Sequence, residues 1–155
     1  MQMILVSACL AGINCRYGGG SCEDAAIKAM VQQGKAIPVC PEILGGLDVP
    51  RPACELIRAA DGSVRVVSKD GRDLTAAMVR GAKKTLAVAK ALGVAKVIVK
   101  SRSPSCGYGL IYDGTFTGKL VSGNGLAVEL LLKNKIKVYT ENDFSREDLI
   151  QFQKD

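Results

Sequence analysis

The 155-residue chain is predicted to fold as one three-layer α/β domain, Rossmann-like or flavodoxin-like, around a mainly parallel sheet. Three observations carry that expectation. The length is about one domain's worth, and a chain of that size buries roughly 70% of its unfolded surface. Short, apolar, β-branched runs alternate with segments of helical period, the pattern of parallel strands joined by right-handed crossover helices. The composition, 48% apolar and 23% charged, is that of a globular protein and excludes disorder, collagen and coiled coil.

The elements follow in order. Residues 3–8 (MILVSA) form an apolar first strand, closed by the loop that holds Cys9, Gly12 and Cys15. Gly18, Gly19 and Gly20 lead to Ser21, read as the N-cap of a helix over 22–33, with Glu23 and Asp24 in its first turn and Gly34 as its stop. Residues 36–39 are the second strand, ended by Cys40-Pro41. The segment 42–55 (EILGGLDVPRPACE) has neither period and reads as a long functional loop. Residues 64–68, between Asp61-Gly62 and Asp70-Gly71, are a short strand or hairpin arm. Asp73 caps a long helix running to Leu92, with Met78, Ala82, Leu86 and Ala89 on one face and Arg80, Lys83, Lys84 and Lys90 in solvent. Residues 96–100 (KVIVK) are the third main strand, followed by the irregular SRSPSCGYG. Residues 111–121 turn at Asp113-Gly114 as a hairpin, 125–133 are helical, 136–139 form a last strand, and Ser145 caps a terminal helix.

Histidine is absent, which removes Ser-His and Cys-His nucleophilic catalysis and histidine-bound zinc. Catalysis is left to cysteine, carboxylates, serine, lysine or a bound cofactor. Lysine and arginine total 21 against 15 acidic residues, and the net +6 favours an anionic or nucleic-acid-derived partner. No stretch approaches the ~18 apolar residues of a membrane span. The apolar run of MQMILVSACLAG lacks a basic flank and is short for a secretory signal. The expected compartment is therefore the reducing cytoplasm, where six cysteines point to metal or redox chemistry rather than disulfides.

On the predicted topology Cys9, Cys40 and Cys106 each follow a strand. In a parallel sheet those loops share the carboxyl edge, where open α/β sheets bind ligands. Spacing leaves two readings open. Three converging thiols suit a soft metal centre; without a CxxC pair, an iron–sulfur cube with one open iron fits better than structural zinc. Free cysteines are also common core residues, and Cys22 and Cys54 are read as structural, with Cys15 as a reserve thiol or spectator. Glu42 lies two residues past Cys40, placed to act as acid or base or to sit simply at the surface. Ser101, Ser103 and Ser105 precede Cys106 as candidates for orienting water or substrate, or as turn formers. Arg16, Arg51 and Lys100 flank the three loops and are candidate anion-binding residues; Arg51 is equally placed to pair with Glu55. The triple glycine precedes a helix as phosphate loops do, but GxGxxG and Walker patterns are missing.

SACLAGINCRYGG, VCPEILGGLDVPRPACE, GRDLTAAMVRGA, VKSRSPSCG and IYDGTFTGKLVSGNGLAVELL together resemble the DUF523 family, whose characterised members are thiouracil desulfidases. The resemblance runs from residue 4 to about 141, and residues 1–155 are expected to be one such domain. It implies a [4Fe-4S] cluster held by Cys9, Cys40 and Cys106, and non-redox conversion of 2- or 4-thiouracil to uracil and sulfide. It further implies that the open iron takes the thiocarbonyl sulfur while Glu42, helped by Ser103, manages protons as water adds to the ring carbon. From their place beside the three loops, and not from the resemblance, Arg16, Arg51, Lys100 and Ser101 are the candidate substrate-binding residues. Relatives commonly have an acidic or amide residue after Arg-Tyr, where this chain has Gly18, which bears on substrate scope. Two alternatives stand beside this reading: desulfuration of thiolated tRNA bases or another small thio-compound on the same cluster, and a non-catalytic metal- or nucleotide-binding module. Few aromatics (5%) speak against broad nucleic-acid recognition.

Overall fold

Residues 3–143 and Asp148 are described by the computed structural model, and the helix expected from Ser145 lies outside the described residues. In chain order the elements are β1 (Ile4–Ser7), α1 (Ala25–Gln32), β2 (Ala36–Val39), α2 (Pro41–Leu44), β3 (Cys54–Arg58) and β4 (Val64–Ser68). There follow α3 (Thr75–Leu92), β5 (Lys96–Val99), β6 (Leu110–Tyr112), β7 (Leu120–Ser122), α4 (Leu126–Lys133) and β8 (Lys137–Thr140).

The expected parallel sheet is present, with strands in the order β2-β1-β5-β8 and every neighbour parallel. Period-two alternation sends its side chains to opposite faces. Ile4, Val6 and Ile98 pack with Ile27 and Met30 of α1 on one face. Leu5, Val97 and Val99 pack with Ala89 of α3 and with Val128 and Leu131 of α4 on the other. Both faces are covered, as all-apolar parallel strands require.

Two antiparallel ribbons stand outside this sheet. β3 pairs with β4 from Cys54↔Ser68 to Arg58↔Val64, and β6 pairs with β7 around the Asp113-Gly114 turn. The arm at 64–68 therefore pairs with β3, a strand whose first two residues, Cys54 and Glu55, lie in the segment read as a long loop. That loop is also helical at its start: α2 has Cys40 at its N-cap position and Pro41 in its first turn, where a missing N–H costs nothing. Two short elements separated by Gly45, Gly46 and two prolines have no period long enough to be seen in sequence.

The start of α1 also differs from expectation. Its N-cap is Asp24, not Ser21: the Asp24 carboxylate accepts the N–H groups of Ala26 at 3.0 Å and Ile27 at 3.2 Å. Residues 21–24 are held elsewhere, because Cys22 N–H donates to the Cys9 carbonyl and Asp24 N–H to that of Leu10. The first strand likewise ends at Ser7, and Ala8–Ala11 form a buried 3-10 turn stopped by Gly12 at φ 89°. That turn sets Cys9.

Candidate active site

The site begins where the strands stop. β1 runs into the 3-10 turn carrying Cys9, β2 into Cys40, and β5 into the loop carrying Cys106. In the order β2-β1-β5-β8 the chain leaves β1 toward one edge and β5 toward the other. Ligands of open α/β sheets bind outside the carboxyl ends at such a reversal. Here a cleft of about 640 Å³ lies there, lined by all nine residues singled out from sequence: Cys9, Arg16, Cys40, Glu42, Arg51, Lys100, Ser101, Ser103 and Cys106.

Cys9, Cys15 and Cys106 are buried and Cys40 is half-buried. The Cys15 thiol interacts with those of Cys40 and Cys9. The bond from Cys40 favours its thiolate, but the bond to Cys9 and burial prevail and leave it pushed up to about 11. Cys40 is raised by its bond to Cys15 and by burial. Burial pushes Cys106 up to about 12, against hydrogen bonding from Ser7. Cys54 also lines the cleft, raised by burial to about 11, while Cys22 packs under α1. No other thiol in the described residues joins this group. Cys9 and Cys15 from the segment after β1, Cys40 from the end of β2 and Cys106 from the loop after β5 together form a soft donor set.

Among the described residues no three such side chains are drawn together tightly enough to grasp a single ion. A cube asks for something different, since each ligand binds its own iron at a separate corner. Three thiols spaced around a roomy cleft, with no histidine in the chain, fit that group better than a mononuclear metal.

Glu42 is fixed on both sides. Its Oε1 accepts Arg51 Nε–H at 3.0 Å, and its Oε2 accepts the Ser105 hydroxyl at 2.9 Å. Arg51 is 6% exposed and spends its remaining forks on the carbonyls of Asp48 and Cys15. The pair offered from sequence, Arg51 with Glu55, does not form. Glu55 instead turns toward the β6–β7 tip, where it accepts the N–H groups of Gly114 and Phe116.

The serines divide their work. Ser105 is 2% exposed and touches Glu42, and its Oγ lies 3.0 Å from that of Ser103. Ser103 Oγ accepts N–H from Ser105 and Cys106, which shapes the loop under the thiol. Lys100 pairs with Glu141 at 3.2 Å, and the Ser101 N–H donates to the same carboxylate. Arg16 lies over the Tyr17 ring. Sequence reasoning missed the Glu42–Ser105 contact, the place of Glu55 in the cleft, and the pair Glu141 and Asn142. The last two immediately follow β8, so the strand-end rule that found the cysteines reaches them once the fourth strand is included.

Residues 4–143 match the sequence model of a family described as 2-thiouracil desulfurase. The Bacillus subtilis (strain 168) protein YbbK, described as uncharacterized, is 43% identical over 148 residues, 92% of this chain and 98% of its own. Among solved structures, the [4Fe-4S]-dependent thiouracil desulfidase TudS (DUF523Vcz) superposes with a TM-score of 0.86 at 36% identity, covering 100% of both chains.

Proposed function

The chain belongs to the 2-thiouracil desulfurase family, and from that premise we propose that it removes sulfur from thiolated pyrimidines by hydrolysis. A thiouracil and water give uracil and sulfide, with no net electron transfer. The reaction takes place in the strand-end cleft, with a [4Fe-4S] cluster held by Cys9, Cys40 and Cys106. When bound, the cluster supplies a soft Lewis-acidic iron for a sulfur ligand.

The carrying observation is the Arg51–Glu42–Ser105 chain set among those thiols. Arg51 keeps the Glu42 carboxylate in one orientation. Glu42 takes a proton from the attacking water at Oε2, and Ser105, already hydrogen-bonded there, carries it toward the departing sulfur. Ser103 holds Ser105 from the far side, so the direct role moves one serine along from the expected residue. Lys100 and Ser101 are braced by Glu141 as one cleft wall, and Arg16 is a cation without an acidic partner among the described residues. A second reading keeps the chemistry and enlarges the substrate to a thiolated nucleotide or tRNA base. It is favoured by Arg16, Lys69 and Arg102 in the lining, cations suited to a phosphate.

Anaerobic reconstitution followed by iron and sulfide analysis, with sulfide release from 2- and 4-thiouracil, tests this function. Cys106→Ala is expected to lose cluster and turnover together. Glu42→Gln is expected to keep the cluster and lose about 10²–10⁴-fold in kcat. A Glu42→Gln enzyme at the parental rate would refute the proton-transfer role.

A further inference from the structure

One buried acid in the cleft has no part in this mechanism. Glu55 on β3 is only 9% exposed and lines the same cleft as Cys9 and Glu42. Its Oε1 accepts two N–H bonds from the β6–β7 tip, Gly114 at 2.9 Å and Phe116 at 3.1 Å. Its Oε2 has no hydrogen-bond partner among the described residues. Glu55 is thus a largely buried carboxylate with one oxygen uncommitted, whereas buried polar atoms in native structures nearly always have a partner.

The tip it holds is built firmly. Gly114 sits at φ 93°, against Ile57 and the Leu56 carbonyl of β3, where a side chain would collide. Phe116 adopts φ 58°, a left-handed conformation unusual for an aromatic residue, and lines the cleft. Glu55 thus anchors, through Oε1, the tip that carries Phe116, and both residues line the same cleft. A pyrimidine of the uracil type offers what these two groups take: ring N–H donors at its edge and a flat π face.

We propose that Glu55 and Phe116 form a pyrimidine-recognition subsite, in which Glu55 Oε2 accepts a hydrogen bond from a ring N–H and the Phe116 ring stacks on the base. The proposal rests on the desulfurase reading for its ligand class. It assigns Glu55 to specificity and leaves proton transfer to Glu42. Stacking of a base on an aromatic side chain is worth about 1–3 kcal/mol on alanine substitution, a factor of roughly 5–150 in affinity.

The test is calorimetric binding of uracil, 1-methyluracil and 3-methyluracil to the cluster-loaded protein, beside thiouracil turnover. The parent protein should bind one methylated base at least tenfold more weakly than uracil, because that base lacks the donated N–H. In Glu55→Gln the amide oxygen still accepts both backbone N–H groups, while the free atom becomes a donor facing a donor. Uracil affinity should fall at least tenfold and the discrimination between uracil and that methylated base should vanish. Phe116→Leu should weaken all three ligands about 5- to 100-fold, and Phe116→Tyr should restore binding. Uniform weakening of the three ligands in Glu55→Gln, or no change, would make Glu55 a loop anchor and overturn the proposal. So would a parent protein that binds the three bases equally or not at all. If Glu55→Gln does not fold, the parent's discrimination and the Phe116 pair still decide. Turnover without discrimination removes the subsite and keeps the reaction; Glu55-dependent discrimination without sulfide release does the reverse.

Discussion

Arg51 is the residue on which the geometry of Glu42 depends. Both side chains are nearly buried, 6% and 14% exposed, and a fork that also binds two carbonyls cannot be copied by an ammonium group. Arg51→Ala is expected to cost about 3 kcal/mol by leaving Glu42 without its counter-charge, and to lower turnover with it. Arg51→Lys should recover part of the stability but little of the rate, as read by urea denaturation and sulfide release. The serines give a sharper comparison. Ser105→Ala removes the hydroxyl on Glu42 and should lower kcat by about 10²-fold, whereas Ser103→Ala acts through the loop and should mainly lower stability. At this scale the sequence was informative about which residues gather and silent about which way they face. Cys9 and Cys40 were readable because each directly follows a visible apolar run, and Cys106 because it lies in the loop after a third. Glu42 was readable from its place beside Cys40. The choice of Ser105 over Ser103, and of Glu42 over Glu55 as partner of Arg51, depends on side-chain directions in loops that have no period.

The contact between α2 and α3 shows how an element carries a site. Gly45 and Gly81 meet there: a methyl group on Gly81 would overlap the Pro41 carbonyl, and one on Gly45 the Ala77 carbonyl. Arg80 closes the contact with two bonds to the Gly45 carbonyl, at 3.0 and 2.8 Å. Because α2 also contains Glu42, Gly81→Ala is expected to cost about 1–3 kcal/mol and to lower turnover beyond that loss. Gly18→Ala, with no atom near its added methyl, should alter neither. This pairing was hidden from sequence because four residues of helix between glycines and prolines have no amphipathic signature. The long α3, with its periodic apolar face, was legible to its end at Leu92, although its N-cap position is Leu74 and not the expected Asp73. Turn aspartates give a second element-scale outcome. Asp73, Asp113 and Asp61 are held below the usual carboxylate range, first by the hydroxyls of Thr75, Thr115 and Ser63 and then by backbone N–H groups. Their folded pKa values lie below the unfolded one, so the native state binds fewer protons. Their contribution is complete above the unfolded value, about pH 4, and disappears as pH falls through the folded values. Urea midpoints measured from pH 5 to pH 2 should fall, and Asp73→Asn should flatten the fall at the start of α3.

Over the whole molecule, the parallel sheet was predictable because its strands are apolar on both faces and alternate with segments of helical period. The antiparallel ribbon β3–β4 was harder, since β3 begins within an aperiodic stretch. The same topology determines what loading should do to stability. Cys9, Cys40 and Cys106 belong to three loops far apart in sequence that meet only when β1, β2 and β5 are assembled. An unfolded chain presents no such arrangement, so a group that binds all three thiols binds the native state preferentially. Linkage then adds about 2.7 kcal/mol when the group is present at a hundredfold above its dissociation constant. For a chain of this length that corresponds to a rise of about 5–10 °C in melting temperature. Anaerobic calorimetry of apo and reconstituted protein measures this rise directly. Cys9→Ala, Cys40→Ala and Cys106→Ala should each abolish it, because losing any one thiol leaves a loop untied. Cys22→Ala should preserve it, as that thiol packs beneath α1 outside the cleft. Cys15→Ala is the decisive comparison, since Cys15 lines the cleft between two proposed ligands. With the ligand set proposed here Cys15→Ala keeps the full increment; if it loses the increment and Cys106→Ala retains it, the cluster is held by Cys9, Cys15 and Cys40 instead.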